Sequence, residues 1–346
     1  MTMKVLIQFI NDQHWINFRF AELDSLLELN GLSPDDIYTK PPAPTEDDIH
    51  NYTPFIIAEF PKHSETVIEA ICSRSVMIKQ VLRLWDYSQT IPELMSKMVA
   101  CGGETSYHQL QLDEGEDVHK TFAMKIETFE HSVPGPRKEK LRADLPFKPC
   151  FTGGVSLRDP ERLIMLILDF QHQHMGMQNT KTAFDMEEAI NSVPCYIGVL
   201  LARGGMKAEL VKYDLKSRLF IGPTTLDHAL SLITCNLAKV TEKCVVLDPF
   251  VGTASLLIAA SHFKACCFGS DIDIRVLKGD MYAGKHKDNA KRDIIENFKA
   301  YQLQSPELVR IDNHMFSKHM QCDDHPVVRE FYDVIITDPP YGIRAG

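Results

Sequence analysis

The chain has 346 residues, 44% apolar and 24% charged, with 18 Gly and 19 Pro. That composition excludes collagen-like, wholly disordered and disulfide-scaffold proteins, and the length predicts two or three domains. The formal charge of −10 is uneven: residues 1–118 hold 8 basic and 19 acidic side chains, the remainder 29 and 28. The acidity of one end therefore does not exclude a nucleic-acid partner for the other.

No apolar run approaches the ~20 residues that span a bilayer, so no membrane partner is expected. Val5 to Ile10 is apolar but gives way to Asn11-Asp12-Gln13-His14-Trp15 with no small-residue cleavage site, and reads as a first strand rather than a signal peptide. Nine Cys without a CxxC pair favour a reducing, cytosolic or nuclear compartment.

Phe20, Leu23, Leu26, Leu27 and Leu29 fall at helical spacing and stop at Asn30-Gly31, a left-handed C-cap signal. Pro41 to Asp48 is a polar, Pro-rich loop. Phe55-Ile56-Ile57 starts a second strand, Ser64-Glu65 opens a helix, and Val76 to Leu84 is a third apolar run. This β-α-β-α-β rhythm predicts a small α+β unit over residues 1–90.

From Ile91 a second unit is expected, to residue 205. Phe122 to Phe129 alternates with period two, as a half-buried strand does. Pro134-Gly135-Pro136 is expected to break the chain before Arg137, Lys138, Lys140 and Arg142. The stretch Lys120 to Lys148 holds seven basic and four acidic residues, and Lys278 to Arg292 adds Lys285, Lys287 and Lys291. These stretches permit phosphate contacts without demanding them. Arg162 to Leu168 and Tyr196 to Leu201 read as buried strands. His172 and His174 lack further ligand spacing and read as loop residues, so no metal site is expected.

After a linker at 206–225, the remainder, 226–346, reads as βαβ units. Val245-Val246-Leu247, Ala265 to Gly269, Leu308 to Ile311 and Asp333 to Thr337 are apolar strands, with a small-residue helix from Ala254 to Phe263. Each strand runs into an acid: Asp248, Asp271 with Asp273, Asp312 and Asp338. In parallel sheets ligands collect beyond the carboxyl ends of the strands, so acids at all four strand ends predict a site there.

The first loop, Asp248-Pro249-Phe250-Val251-Gly252-Thr253, has one glycine for close backbone approach but is no GxGxxG fingerprint. Asp271 lies 23 residues after Asp248, close to the spacing at which an acid takes ribose hydroxyls. Asp338-Pro339-Pro340-Tyr341 combines an acceptor carboxylate, rigid carbonyls and a stacking ring. Together they suit a planar heterocycle bearing an exocyclic amine.

With these motifs, Val246 to Thr253, Gly269 to Asp273 and Ile335 to Arg344, the chain resembles the S-adenosylmethionine-dependent amino-methyltransferases. It is more closely similar to the eukaryotic tRNA (guanine-10-N2)-methyltransferase catalytic subunit family. Phe220 to Asp227 resembles that family's entry motif, with Pro223 where Asn is usual. The N-terminal rhythm resembles its ferredoxin-like unit plus THUMP RNA-binding domain, and the resemblance is specific from about Leu219 onward.

The implied fold is α/β, a Rossmann-like methyltransferase sheet preceded by α+β ferredoxin-like and THUMP-like units. The implied cofactor is S-adenosylmethionine, with Asp248, Phe250, Gly252 and Thr253 on its methionine and ribose side. Asp271 would take the ribose hydroxyls, Ile272 or Asp273 would lie beside the adenine, and Asp312 would accept from the adenine amine. Asp338, Pro339, Pro340 and Tyr341 would hold the guanine amine in line with the sulfonium methyl. Implied partners are tRNA and a small zinc-containing activator subunit, in the cytoplasm. Val245 to Leu247 with Ala265 to Phe268 is compatible with the activator's surface and equally with a buried sheet.

Ala254-Ser255 stands where Gly-Gly is frequent. Such folds use about seven strands and four are legible after Val245, so the methyltransferase sheet is expected to be truncated at its C-terminal side. Two other readings stay open: DNA amino-methylation, which uses the same Asp-Pro-Pro-Tyr chemistry, and a non-catalytic RNA-binding fragment.

Overall fold

The computed structural model describes residues 2–12, 14–41, 53–100, 120–145, 153–171, 190–279, 292–315 and 330–341. The Pro-rich stretch from Pro42 to Asp48, His172, His174, Lys285, Lys287, Lys291 and Gly342 to Arg344 lie outside the described residues. The chain forms two compact units, one of Met1–Asn11, Ser33–Cys72 and Ile78–Arg203, the other of Asp12–Leu32, Ser73–Met77 and Gly204–Gly346.

The first unit is built on one six-stranded sheet. Its strands are β1 (Thr2–Phe9), β2 (Phe55–Pro61), β3 (Ile78–Ser88), β4 (Phe122–Phe129), β5 (Arg162–Asp169) and β6 (Cys195–Arg203). Their order is β2-β1-β3-β6-β5-β4. All neighbours are antiparallel except β4 and β5. Residues 1–90 and 91–205 each supply half of this sheet, joined where β3 pairs β6.

In chain order the first helices are α1 (Arg19–Leu29), α2 (Pro34–Ile37), α3 (Glu65–Arg74), α4 (Ile91–Ala100) and α5 (Gly135–Asp144). Ile91 and Leu94 of α4 and Leu141 of α5 share a core with Ile126, Ile164, Leu166, Leu168, Ile197 and Val199. On β5, Met165 and Ile167 alternate with these and pack instead with Leu6, Phe55, Leu82 and Leu84. That strand is covered on both faces, which is why its sequence is apolar throughout.

The Pro134-Gly135-Pro136 stretch does not merely break the chain. Pro134 is the N-cap of α5, with proline again in the first turn, where a missing N–H costs nothing. The basic cluster Arg137, Lys138, Lys140 and Arg142 therefore rides on a helix.

The second unit has a parallel sheet of β7 (Val245–Asp248), β8 (Cys266–Asp271), β9 (Glu307–Arg310) and β10 (Val334–Ile335), in the order β10-β7-β8-β9. With them come α6 (Lys207–Lys212), α7 (His228–Leu237), α8 (Ser255–His262), α9 (Ile274–Leu277) and α10 (Ile294–Ala300). Helix α8 crosses from β7 to β8 and packs on both strands and on α7. A Cβ on Gly269 of β8 would come within 2.7 Å of Val251 and 2.9 Å of Leu257, so glycine lets this helix and loop close onto the strand. Of the apolar stretch Val245 to Leu247 with Ala265 to Phe268, Val246, Leu247, Ala265 and Cys267 are buried in the sheet, Val245 and Phe268 are half-buried and Cys266 is exposed.

Helix α1 belongs to this second unit and ends as its sequence predicts, with Gly31 at φ +76° and Leu32 N–H donating to Leu27 O at 2.9 Å. Its Glu22 is fully buried and accepts from Ser75 Oγ (2.6 Å), Val76 N–H (3.0 Å), Met77 N–H (2.9 Å) and Asn236 Nδ2 (2.7 Å). Arg74 completes the node, donating to Asn236 Oδ1 at 2.8 Å and Val240 O at 2.6 Å. A buried carboxylate is tolerable only when so thoroughly bonded.

Candidate active site

Because the second sheet is parallel, the carboxyl ends of its strands lie at one edge. Asp248 and Asp271 are the last residues of β7 and β8, Asp312 lies just past β9, and Asp338 just past β10.

Asp248 is 2% exposed. Its Oδ1 accepts from Phe250 N–H at 3.1 Å and from Thr337 Oγ1 at 2.9 Å. Burial pushes its pKa up to about 6; the two hydrogen bonds oppose this, and the nearby Asp271 and Asp338 add to it. Asp338 thus stands within electrostatic reach of Asp248.

The loop after β7 turns through two left-handed residues, Gly252 at φ +48° and Ala254 at φ +64°. Gly252 N–H donates to Asp271 Oδ2 at 3.1 Å, and Asp273 N–H to Asp271 Oδ1 at 2.9 Å. Pro249 O accepts from Ser270 Oγ at 3.2 Å and Asn313 Nδ2 at 2.6 Å. Three strand ends are thereby tied into one rim.

Asp273 is committed elsewhere. Arg275 grips its carboxylate at 2.6–3.2 Å and holds its pKa down at about 2. Ile272 is 60% and Phe250 39% exposed, so both present apolar surface at the rim. Asp312 is exposed and accepts from His314 N–H at 3.0 Å.

At the far end Tyr341 is 80% exposed, and its hydroxyl donates to Asp338 Oδ1, which pushes the phenol pKa up. Pro339 and Pro340 are exposed between them. Thr253 meets Thr225, Oγ1 to Oγ1 at 3.0 Å, and Thr225 Oγ1 also accepts from Gly222 N–H at 2.7 Å. Asp227 caps α7 through Ala229 N–H at 2.8 Å and Leu230 N–H at 3.1 Å.

Sequence reasoning singled out the acids and missed the hydroxyl and amide groups that fasten them: Thr337, Asn313, Thr225 and Ser270. Thr225 lay inside the entry motif, but nothing in its spacing marked Asn313. Asn313 Oδ1 is buried with no hydrogen-bond partner among the described residues, an acceptor left over at the rim. Among those residues no group of His, Cys, Asp or Glu is arranged to hold a metal, and no helix is long and apolar enough to cross a membrane.

Residues 3–186 match the family described as the Tmrp11 THUMP N-terminal domain, and residues 216–346 match the RMKL-like methyltransferase domain. The tRNA (guanine(10)-N(2))-methyltransferase TRMT11 of Dictyostelium discoideum is 30% identical over 355 residues, covering 99% of this chain and 62% of that protein. That of Homo sapiens is 32% identical over 343 residues, covering 96% and 65%. The chain thus spans a little under two thirds of the length of these curated relatives. The crystal structure of TrmN from Thermus thermophilus aligns over 99% of this chain and 80% of its own at 13% identity, with a TM-score of 0.40, too low to bear on function.

Proposed function

The chain belongs to the family defined by the Tmrp11 THUMP N-terminal domain, and on that premise we propose that it transfers a methyl group from S-adenosylmethionine to the N2 amine of a tRNA guanine. One observation carries the reading: the Asp338-Pro339-Pro340-Tyr341 stretch is tied by Thr337 to Asp248, beside the loop that meets Asp271. Acceptor-gripping and donor-gripping groups therefore share one rim.

The residues present fit the donor. Each Asp271 oxygen takes one backbone N–H and keeps a lone pair for a ribose hydroxyl. A Cβ at Gly252 would meet nothing nearer than Phe250 O at 3.9 Å, so the backbone there is open to close approach. Phe250 and Ile272 offer apolar flanks, and Asp312 and the orphan Asn313 Oδ1 are acceptors for an adenine amine. Asp248, Gly252 and Thr253 would line the methionine and ribose side. When bound, the donor supplies an electrophilic sulfonium methyl.

The chain's own part is then positioning. The guanine amine is a poor nucleophile because its lone pair is delocalised into the ring. Hydrogen bonds to the Asp338 carboxylate and the Pro339 carbonyl return electron density to nitrogen, and Tyr341 stacks on the base to set its approach. Pro340 stiffens the turn that presents both. The base must leave its helix to enter.

Residues 1–90 without α1, and 91–205, would act as ferredoxin-like and THUMP-like units, the basic face of α5 adding phosphate contacts; 226–346 would be the methyl-transfer unit, and 206–225, expected as a linker, packs onto it through Tyr213, Arg218 and Phe220. A small zinc-containing activator is the inferred partner and the cytoplasm the inferred compartment. The experiment is transfer of labelled methyl from S-adenosylmethionine to an unmodified tRNA transcript. Label should enter the transcript and disappear when inosine, which lacks the amine, replaces the target guanine. Incorporation into DNA instead, or RNA binding without transfer, would overturn the reading.

A further inference from the structure

Arg218 is 5% exposed, and no carboxylate forms an ion pair with it among the described residues. Burial disfavours its charge, the neighbouring Tyr301 hydroxyl supports it, and Asp227 is near enough to be felt but spends its Oδ1 on the cap of α7. A guanidinium stays charged when buried, and a buried charge without a paired counter-charge costs stability. Its placement therefore calls for a reason beyond packing.

Its contacts supply one. Nη1 donates to Ser255 Oγ at 2.6 Å and Nη2 to Tyr213 O at 3.4 Å, and the Tyr301 hydroxyl lies beside the guanidinium. Ser255 is the first residue of α8, directly after Gly252-Thr253-Ala254. Two residues beyond Arg218, Phe220 is clasped by Asn297, with Phe220 N–H donating to Oδ1 at 2.9 Å and Nδ2 donating to Phe220 O at 2.8 Å. Asn297 is fully buried in α10, so the stretch around Arg218 has a rigid mount.

We propose that Arg218 is a positioning residue for the methyl donor: anchored through Tyr213 and the Phe220–Asn297 clasp, it holds Ser255 and so sets the loop Gly252–Ala254. This rests on the donor-binding reading above. Ala254 sits in a left-handed conformation that a Cβ disfavours, so the loop needs an external tie to keep the geometry that meets Asp271. Thr225 against Thr253 is a second tie, and Arg218 holds the helix side of the same turn.

The test uses the full chain with Arg218→Met, Arg218→Lys and Ser255→Ala. S-adenosylhomocysteine binding is measured by calorimetry, with KM for the donor, kcat, tRNA affinity and the melting temperature. Arg218→Met should weaken S-adenosylhomocysteine binding and raise the donor KM about tenfold or more, with kcat within threefold and tRNA affinity unchanged. Arg218→Lys should restore part of the loss, and Ser255→Ala, which only trims a hydroxyl, should weaken binding about threefold. If Arg218→Met does not fold, Ser255→Ala decides. Unchanged S-adenosylhomocysteine affinity in Ser255→Ala, or an equal loss of tRNA affinity and thermal stability, would overturn the inference while leaving the donor reading intact. Failure of the native chain to bind S-adenosylhomocysteine would overturn both.

Discussion

Thr337 Oγ1 donates to Asp248 Oδ1 at 2.9 Å, so the acid ending β7 is fastened to the residue that precedes the Asp338-Pro339-Pro340-Tyr341 stretch after β10. Asp248 therefore joins two adjacent strand ends, and its protonation state bears on both. The carboxyl is raised from 3.8 to about 6. The native protein thus binds this proton more tightly than the unfolded chain does. The resulting stability is fully present below the unfolded pKa and lost as pH rises through about 6. The ionised form costs on the order of 3 kcal/mol. Asp248→Asn should therefore be ~1–3 kcal/mol more stable than the native protein at pH 7.5, with the difference shrinking towards pH 4. Urea denaturation across that range checks it. Donor binding should fall in the same variant, an outcome read by calorimetry.

Asp338→Asn should lower methyl transfer by ~10²-fold or more, because a neutral amide oxygen accepts from the guanine amine far more weakly than a carboxylate does. Donor binding should stay within about threefold of native. Tyr341→Ala should lose roughly 1–3 kcal/mol of base stacking, seen as a raised KM for tRNA. Tyr341→Phe should retain the stacking and lose only the bond to Asp338. An Asp338→Asn variant with near-native kcat would remove that residue from the acceptor role.

Ala254 is buried and left-handed, at φ +64°. Ala254→Gly should relieve the strain and stabilise the protein by about 0.5–1 kcal/mol after the larger entropy of the unfolded glycine is counted. Ala254→Val should destabilise by ~1–2 kcal/mol, because a β-branched residue resists positive φ. Thermal melts of the two variants should move in opposite directions.

Glu22→Ala would leave the amides of Val76 and Met77, the Ser75 hydroxyl and the Asn236 amide without their acceptor. It should cost about 3–5 kcal/mol, measured by urea denaturation. Glu22→Gln, which keeps one acceptor oxygen, should cost less. A fragment starting at Gly204 lacks this helix and should not unfold cooperatively in the same assay.

Much of the second sheet was legible because its strands are short runs with an acid at their end or shortly beyond it, and β4 coincides with the alternation of Phe122 to Phe129. The stop of α1 was legible at Asn30-Gly31 because left-handed caps are local. The destination of α1 was not, since Glu22 meets Asn236 across 214 positions and helical spacing says nothing about which core a helix joins. The acids at the site stood out by position, whereas Asn313 and Thr337 act through single hydrogen bonds that leave no periodic trace. The start of α5 was missed because proline breaks a helix interior but opens a first turn equally well, and Pro134-Gly135-Pro136 can be read either way.

The long reach of Glu22 also orders events at the ribosome. At ~5–20 residues per second, Asn236 is polymerised some tens of seconds after the carboxylate it will meet. Until then the nascent α1 has a charged group and a leucine stripe with nowhere to bury them. The second unit cannot close co-translationally from the contiguous segment after Gly204 and must retrieve a helix synthesised 214 positions before its Asn236 partner. Chaperone demand should accordingly fall when the order of synthesis is changed, by circular permutation, to place α1 beside α7.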